Sequence, residues 1–226
     1  MATAAAGKTN WFAIWITTAV VVVVALIVGL VIWMNNAASA PAARPDSAGI
    51  NQETGAIVVG EGETPVDLYF DFYCPHCQDF EDAVGPDMGE QLEAGAITLN
   101  MHPVALQGLN TASGTDFSKR SANALYCVAD DEPTAAYPFM TEVFAERPTG
   151  AGLTDEQLVS FAEAAGASGA ADCIADRTWD DLVTEQTRNI PQNPDTGSAG
   201  TPTLMIRDEY VPITGDPQAD LLDRIG

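Results

Sequence analysis

The sequence has little positive charge. Its 226 residues include nine Lys and Arg against 32 Asp and Glu, a formal net charge of −23. A chain this acidic has nothing to replace the counterions around phosphate, so nucleic-acid binding is all but excluded. Hydrophobic residues make up 46% of the chain and charged residues 18%, which argues against general disorder and suffices for a buried core. The length favours one domain.

Cysteine and histidine are also scarce, with four and two residues. Four cysteines are too few for a miniprotein built on disulfides. Every acidic residue lies at Asp46 or later, and Lys8 is the only basic residue before Arg44. The acidity therefore belongs to the larger, later segment, where it favours solubility and repels anionic surfaces without specifying a fold.

Residues 11–34 form an apolar run of 24 residues without a formal charge. As a helix this run would span about 36 Å, enough to cross the hydrocarbon core of a bilayer. Trp11 and Trp15 lie at one end and Trp33 at the other, as expected of interfacial indoles. We predict an uncleaved transmembrane anchor in the lipid bilayer. The alternative is a cleaved signal peptide, with Ala38-Ser39-Ala40 as its A-x-A site.

The residues on either side of this apolar run predict how the rest of the chain is arranged across the membrane. Lys8 and the α-amino group favour a short cytoplasmic N-terminus of residues 1–10. Residues 35–54 are rich in Ala, Pro, Ser, Asn and Gly, which predicts a flexible tether. Residues 55–226 would then form a single domain outside the cytoplasm, on a single-pass protein of the cell membrane.

Hydrophobic patterning divides this domain into strands and helices. Alternation predicts strands at 65–72 and 97–101, and short apolar segments predict further strands at 56–59, 203–207 and 210–213. Helical spacing predicts helices at 78–93, with a bend or break at Gly85-Pro86, and at 118–129, 137–146, 154–165, 170–176 and 178–189, before a last helix from Asp216-Pro217. Thr154 and Gln157 predict a capping box. This order predicts an α/β fold with an inserted helical subdomain at about 105–195.

Cys74-Pro75-His76-Cys77 lies between a predicted strand and a predicted helix, the setting of a redox-active C-x-x-C pair. Cys74 would lie at the helix N-terminus, where unpaired N–H groups and the macrodipole favour a thiolate. Cys77, one turn later, would be shielded but close enough to form a disulfide. Pro75 stiffens the turn and His76 adds a donor beside the sulfur. Both stabilise the reduced form, which makes the disulfide a stronger oxidant.

A zinc site is the alternative for these two thiols, but the usual second pair of ligands is absent. We therefore predict no metal and no cofactor other than the redox-active disulfide. Cys127 and Cys173 lie on two predicted helices. We predict a structural disulfide between them, worth about 4 kcal/mol, because an anchored acidic domain fits an oxidising compartment. Two unrelated buried thiols are the alternative.

Two segments resemble a known family. Phe72-Tyr73-Cys74-Pro75-His76-Cys77, followed by Phe80-Glu81, is similar to the active site of DsbA-like thiol:disulfide oxidoreductases. Gly200-Thr201-Pro202-Thr203-Leu204 is similar to the loop that presents a cis-proline opposite the active-site cysteines of that family. The resemblance covers roughly residues 54–226 and implies a thioredoxin-like fold with a helical insertion.

The resemblance also implies roles for individual residues. Cys74 would be the attacking, substrate-linked thiol and Cys77 the resolving thiol, with His76 adjusting the potential. Pro202 would shape the groove for a client peptide, and Thr201 would adjust access and potential.

One departure from the thioredoxin pattern concerns the buried acid six residues before the nucleophile, where this chain has Leu68. Asp67 and Asp71 lie nearby, and we assign neither to the site. His102, at the end of a predicted strand, is expected to be a hydrogen-bonded structural histidine.

These observations predict a monomeric oxidase that introduces disulfides into unfolded exported proteins with reduced cysteines. A membrane quinone-linked partner would reoxidise it. The alternatives are a disulfide reductase or isomerase, and a copper or apocytochrome delivery protein using the same thiols.

Overall fold

The computed structural model describes residues 11–38 and 41–226. Contacts divide the chain into two units, the first ending at Pro41 and the second comprising Ala42–Gly226. The predicted cytoplasmic segment 1–10 lies outside the described residues, as do positions 39 and 40 of the predicted A-x-A site.

The first unit contains one long helix, α1 (Trp11–Ala38). Its stretch Ile14–Met34 is long and apolar enough to cross a membrane. The run of valines in it would favour a strand in water, whereas in lipid a helix satisfies its own backbone N–H and C=O groups. An anchor and a signal sequence share these properties. The helix extends four residues beyond the predicted end at residue 34.

The second unit is built on one five-stranded sheet of order β1-β3-β2-β4-β5. The strands are β1 (Ile57–Val59), β2 (Thr64–Phe70), β3 (Ile97–Pro103), β4 (Thr203–Ile206) and β5 (Glu209–Val211). All five predicted strands are present, with ends that differ from the prediction by at most two residues. β2 and β3 are parallel, and the other neighbours are antiparallel.

This topology brings three chain segments to one edge of the sheet. β2 and β3 run in the same direction, so their carboxyl ends lie together, with Phe70 opposite Pro103. β4 runs the other way, and its first residue, Thr203, pairs with Tyr69 near the end of β2. The segment that follows β2 therefore meets the segment that precedes β4, although about 130 residues separate them in the chain.

The helices of the second unit largely match the predicted ones. They are α2 (Pro75–Glu93), α3 (Gln107–Ser113), α4 (Phe117–Asp131), α5 (Ala136–Ala145), α6 (Asp155–Ala165), α7 (Ala171–Asp176), α8 (Asp180–Arg188) and α9 (Asp223–Ile225), with a 3₁₀ turn at Pro133–Ala135 and a π turn at Gln218–Leu222. The predicted capping box at Thr154 and Gln157 is present. α3 was not predicted because its sequence has no apolar periodicity and buries only Ser113.

The predicted break at Gly85-Pro86 is absent, because α2 continues through Pro86. The helix is held by packing on both sides of the proline, where Val84 and Met88 are buried. The Tyr137 hydroxyl also donates a hydrogen bond to the Gly85 carbonyl at 3.0 Å. Tertiary packing of this kind outweighs the local cost of a proline.

α4 forms the centre of the inserted helices. Its residues Leu125, Tyr126 and Cys127 are almost completely buried. Cys127 is bonded to Cys173 of α7, with an S–S distance of 2.03 Å. This bond links the middle helix of the insertion to a short helix 46 residues later in the chain.

The tether prediction for residues 35–54 is wrong from Ala42 onward, because these residues pack on the domain. The Ala42 N–H donates to Glu185 Oε2 at 2.5 Å, and Arg44 Nη2 lies 2.6 Å from Glu185 Oε1. Ile50 is buried in the core. The composition of this stretch indicates flexibility, but it carries no sign of an ion pair with a residue 141 positions away.

The Glu185 carboxylate should stabilise the domain through this N-terminal segment. Glu185→Gln removes the charge that pairs with Arg44, so we expect the free energy of unfolding to fall by about 1–2 kcal/mol. Glu163→Gln, at an exposed position of α6, is the matched control and should change it by less than about 0.5 kcal/mol. Urea unfolding of the full chain in detergent measures both. Equal effects of the two substitutions would contradict a stabilising role for the segment.

Candidate active site

Cys74 and Cys77 lie at the start of α2, directly after the central strand. Cys74 is the N-cap residue, and its carbonyl accepts hydrogen bonds from the N–H groups of Cys77 and Gln78, each at 3.1 Å. Pro75 is the first helical residue, where its missing N–H costs no hydrogen bond. Both thiols are free, with Cys74 6% exposed and Cys77 2% exposed. Both residues are buried in the core, and Cys74 is the more exposed of the two.

The environment of Cys74 stabilises a thiolate. A hydrogen bond from the Cys77 thiol is the main cause, and it outweighs burial, which acts in the opposite direction. The Thr201 side chain and the backbone N–H groups of Cys77 and His76 contribute further. Together they lower the pKa of Cys74 to about 5. At neutral pH the reduced protein therefore carries a nucleophilic sulfur anion at this position.

The environment of Cys77 has the opposite effect. Burial, together with the neighbouring Cys74 sulfur, raises the pKa of Cys77 well above its ordinary value. Cys77 therefore remains a protonated thiol that can donate to Cys74. The two cysteines, one helical turn apart, have different protonation states at the same pH.

The His76 side chain lies away from this pair. Its imidazole is 80% exposed, and Nδ1 lies 3.9 Å from Asp79 Oδ2. The contribution of His76 to the lowered pKa of Cys74 comes from its backbone N–H. The sequence predicted a donor beside the sulfur. The structure supplies that donor from the main chain of the first helical turn.

Thr201 and Pro202 lie opposite the cysteines, at the start of β4. The peptide bond between them is cis. The Cys74 sulfur is 3.5 Å from the Thr201 carbonyl oxygen, and the Thr201 side chain lowers the pKa of both cysteines. The structure thus brings together the two segments that sequence comparison singled out. Cys127 and Cys173 lie apart from them, in the inserted helices.

Asp71 is a candidate site residue that the sequence left unassigned. The sequence allowed a solvated strand-end charge, but the side chain is fully buried. Its carboxylate accepts hydrogen bonds from the Tyr73 N–H at 2.9 Å and the Leu106 N–H at 2.8 Å. Burial raises the pKa of Asp71 to about 6, although these two hydrogen bonds act to lower it. Asp71 thus connects two parts of the chain, the turn that carries Cys74 and the segment that follows β3. No local sequence pattern indicates this contact.

Asp67, four residues before Asp71 in the chain, contacts His102 of β3. His102 is buried and stacks on Tyr69, with ring centroids 4.0 Å apart. Its ring nitrogens lie 3.1 Å from Asp67 Oδ1 and 2.9 Å from Gln186 Oε1. These contacts agree with the structural role expected of His102. They also tie β2 and β3 to α8.

Across residues 11–38 and 41–226, no three His, Cys, Asp or Glu side chains are grouped closely enough to hold a metal ion. The arrangement at Cys74 is instead suited to thiol chemistry. It consists of one stabilised thiolate, one shielded thiol and an adjacent polar backbone segment.

A family model described as thioredoxin matches residues 52–224. The chain belongs to the thioredoxin family. The family supplies the α/β sheet and the C-x-x-C motif at the start of a helix, so the predicted thioredoxin-like fold with an inserted helical subdomain is confirmed. No curated protein matches significantly.

Several solved structures that are similar to this chain are disulfide oxidoreductases. The reduced disulfide bond oxidoreductase DsbG from Mycobacterium tuberculosis is 27% identical, with a TM-score of 0.63 over 80% of this chain and 84% of that chain. Reduced DsbA from the same organism is 26% identical, with a TM-score of 0.59 over 77% and 86%. BdbD from Bacillus subtilis, at 18% identity, shares the fold with a TM-score of 0.61 over 82% and 96%.

These likenesses confirm the resemblance to DsbA-like thiol:disulfide oxidoreductases. They support thiol–disulfide exchange as the chemistry of this thioredoxin-family chain. Enzymes of this kind use their own cysteine pair and need no separate cofactor.

The Cys77 thiol should set the acidity of Cys74. Cys77→Ala removes the main hydrogen-bond donor, so the pKa of Cys74 should rise from about 5 by about one unit or more. Cys77→Ser keeps a donor of similar size, and we expect a midpoint close to that of the wild type. Ultraviolet absorbance of the thiolate during a pH titration of the reduced protein measures all three. Identical midpoints for the Ala and Ser variants would show that another group stabilises the thiolate.

Proposed function

We propose that this protein oxidises cysteine pairs in exported proteins by exchanging its Cys74–Cys77 disulfide with them. The observation that carries the proposal is the opposite perturbation of the two thiols. The pKa of Cys74 is lowered to about 5, while that of Cys77 is raised. A dithiol with one strongly stabilised thiolate favours its reduced state, so its disulfide is readily given to a client.

The exchange proceeds in two steps. A client thiolate attacks Cys74 Sγ of the disulfide, forming a mixed disulfide and releasing the Cys77 sulfur, which takes up a proton. A second client thiolate then attacks the client sulfur of the mixed disulfide and expels Cys74 as a thiolate. The client gains a disulfide, and two electrons remain on the Cys74–Cys77 pair. The lowered pKa of Cys74 makes it a good leaving group in the second step.

The apolar helix α1 and the second cysteine pair support an extracytoplasmic location. α1 has the length and composition of a membrane anchor. A structural disulfide such as Cys127–Cys173 persists in oxidising compartments. We therefore place the N-terminus in the cytoplasm and the catalytic domain outside it. A quinone-linked membrane protein would take the two electrons and restore the disulfide.

Single-cysteine variants test the exchange chemistry. Cys77→Ala is first converted to its Cys74–thionitrobenzoate mixed disulfide, and an unfolded client with one reduced cysteine is then added. The client thiolate should attack Cys74 Sγ and expel thionitrobenzoate, and the new mixed disulfide should accumulate because neither Cys77 nor a second client thiol is present to resolve it. Cys74→Ala is the matched control and should trap none, since Cys77 is 2% exposed. Non-reducing electrophoresis after acid quenching separates the adducts. An adduct through Cys77, or none from either variant, would overturn the proposed roles.

The reduction potential of the wild type distinguishes oxidase from reductase. An oxidase should lie several tens of mV above the value of about −270 mV typical of thioredoxin. A value near that of thioredoxin would favour a reductase instead. Stoichiometric copper binding to the reduced pair would favour a delivery role.

The stability of the reduced form should depend on pH in a defined direction. The folded-state pKa of Cys74, about 5, lies below its unfolded value of about 8.5. Its contribution is therefore fully present above the unfolded value and is lost as the pH falls through the folded one. We expect reduced protein to gain stability relative to oxidised protein between about pH 5 and 8.5.

Thermal unfolding of both redox forms, with the Cys127–Cys173 bond intact, measures this difference. Asp71 titrates in both forms, so its effect largely cancels. A more stable oxidised form at neutral pH would contradict oxidation as the net direction.

A further inference from the structure

A cavity of about 450 Å³ opens beside the Cys74 sulfur. Tyr73, Cys74 and Pro75 line one side of it, and Pro148 and Thr149, from the loop after α5, line the other. A second cavity, of about 320 Å³, surrounds Pro202. The Pro202 cavity does not include Cys74 in its wall, whereas the larger one does. The surface around the reactive sulfur therefore has two separate recesses.

The larger recess, here called the Cys74 cavity, follows one face of α2. Cys74 and Gln78 are four residues apart and so lie on the same helical face, and Asp82 comes one turn later. The Gln78 amide donates to Asp82 Oδ1 at 3.3 Å, and Arg147 pairs with Asp82 Oδ2. The ion pair lies next to the far end of the cavity. The polar groups along this wall are therefore already partnered.

Two contacts hold the opposite wall in place. The Tyr73 hydroxyl donates to the Gly150 carbonyl at 2.7 Å, and Arg147 is paired with Asp82. The loop 147–150 is thus tied to the catalytic turn at one end and to α2 at the other. A cavity whose walls are fixed before binding takes up a side chain at low entropic cost.

Covalent geometry determines which group can reach this cavity. In the mixed disulfide the client cysteine Cα lies about 5.5–6 Å from the Cα of Cys74. The Cα of the next client residue is about 3.8 Å farther along its chain. A residue beside the client cysteine is therefore within reach of the cavity for as long as the bond to Cys74 exists. This step rests on the proposed function.

The lining indicates the chemistry of that residue. The lined surface is mostly apolar, and its lining includes Phe72, Tyr73, Pro75 and Pro148. Asp79 is an exposed carboxylate in the wall, whereas the guanidinium of Arg147, which also lines the cavity, is already paired with Asp82. The domain as a whole is strongly acidic. An apolar side chain gains by leaving water here, and an acidic one meets like charge.

We infer that the Cys74 cavity is a specificity subsite for an aromatic or large aliphatic client side chain adjacent to the reacting cysteine. Clients with such a neighbour would exchange faster than clients with a small polar or acidic neighbour. The preference would act on the mixed disulfide and so apply in both directions of exchange.

Cysteine-pair peptides test this inference on the full chain in detergent. One series carries Phe, Ser or Glu at each position flanking the cysteine that forms the adduct. At one flanking position, kcat/KM for the Phe peptide should exceed that for Ser by about tenfold, and Glu should be slowest. Equal rates for Phe and Ser at every position would overturn the subsite.

Pro148→Asp places a carboxylate in the apolar wall and should reduce the Phe-to-Ser ratio to near one. Pro194→Asp, at an exposed proline outside this wall, is the matched control and should keep the wild-type ratio. A ratio that survives Pro148→Asp would also overturn the subsite. Rates of both variants with a small dithiol serve to normalise the data.

Measuring both directions separates this inference from the proposed function. If the protein reduces disulfide peptides but does not oxidise dithiol peptides, the proposed direction is wrong. The Phe-to-Ser ratio in the reducing reaction then still decides whether the Cys74 cavity selects the neighbouring residue.

Discussion

β2 lies at the centre of the sheet, parallel to β3 and antiparallel to β4. These two pairings bring the start of α2, the segment after β3 and the segment before β4 to one edge. Asp71 binds backbone N–H groups of the first two segments, and the Thr201 side chain helps to lower the pKa of Cys74. The reactivity of Cys74 thus depends on long-range strand pairing as much as on its own tetrapeptide. A C-x-x-C motif in an isolated helix would have the donors of the first turn but neither neighbour.

Two thiols one helical turn apart differ because a helix has a polar end and a packed side. At the N-terminus, backbone N–H groups and the second thiol converge on Cys74. One turn later, Cys77 faces the core, where burial penalises its charged form. This difference in pKa gives the two sulfurs different roles in thiol–disulfide exchange. One sulfur is suited to bonding a client and leaving as an anion, and the other is suited to holding a proton and resolving the bond.

The inserted helices contribute to this site rather than merely lengthening the chain. The loop 147–150 forms one wall beside Cys74 and is tied to it through Tyr73. Glu185 of α8 holds the segment that begins at Ala42, so the folded domain includes this segment. The Cys127–Cys173 bond links two helices of the insertion. Access to the sulfur is therefore shaped by parts of the chain distant in sequence.

The sequence alone determined the features that depend on local patterns. Apolar patterning placed all five strands, helical spacing placed most helices, and Cys74 and Cys77 were evident from a strand followed by a prolyl C-x-x-C turn. The tertiary structure decided what depends on distant partners. Pro86 stays helical because its flanks are buried, and the supposed tether is packed because Arg44 meets Glu185. Asp71 is a buried carboxylate because it binds the Leu106 N–H. Such contacts join residues tens of positions apart, and no periodicity or motif within one segment records them.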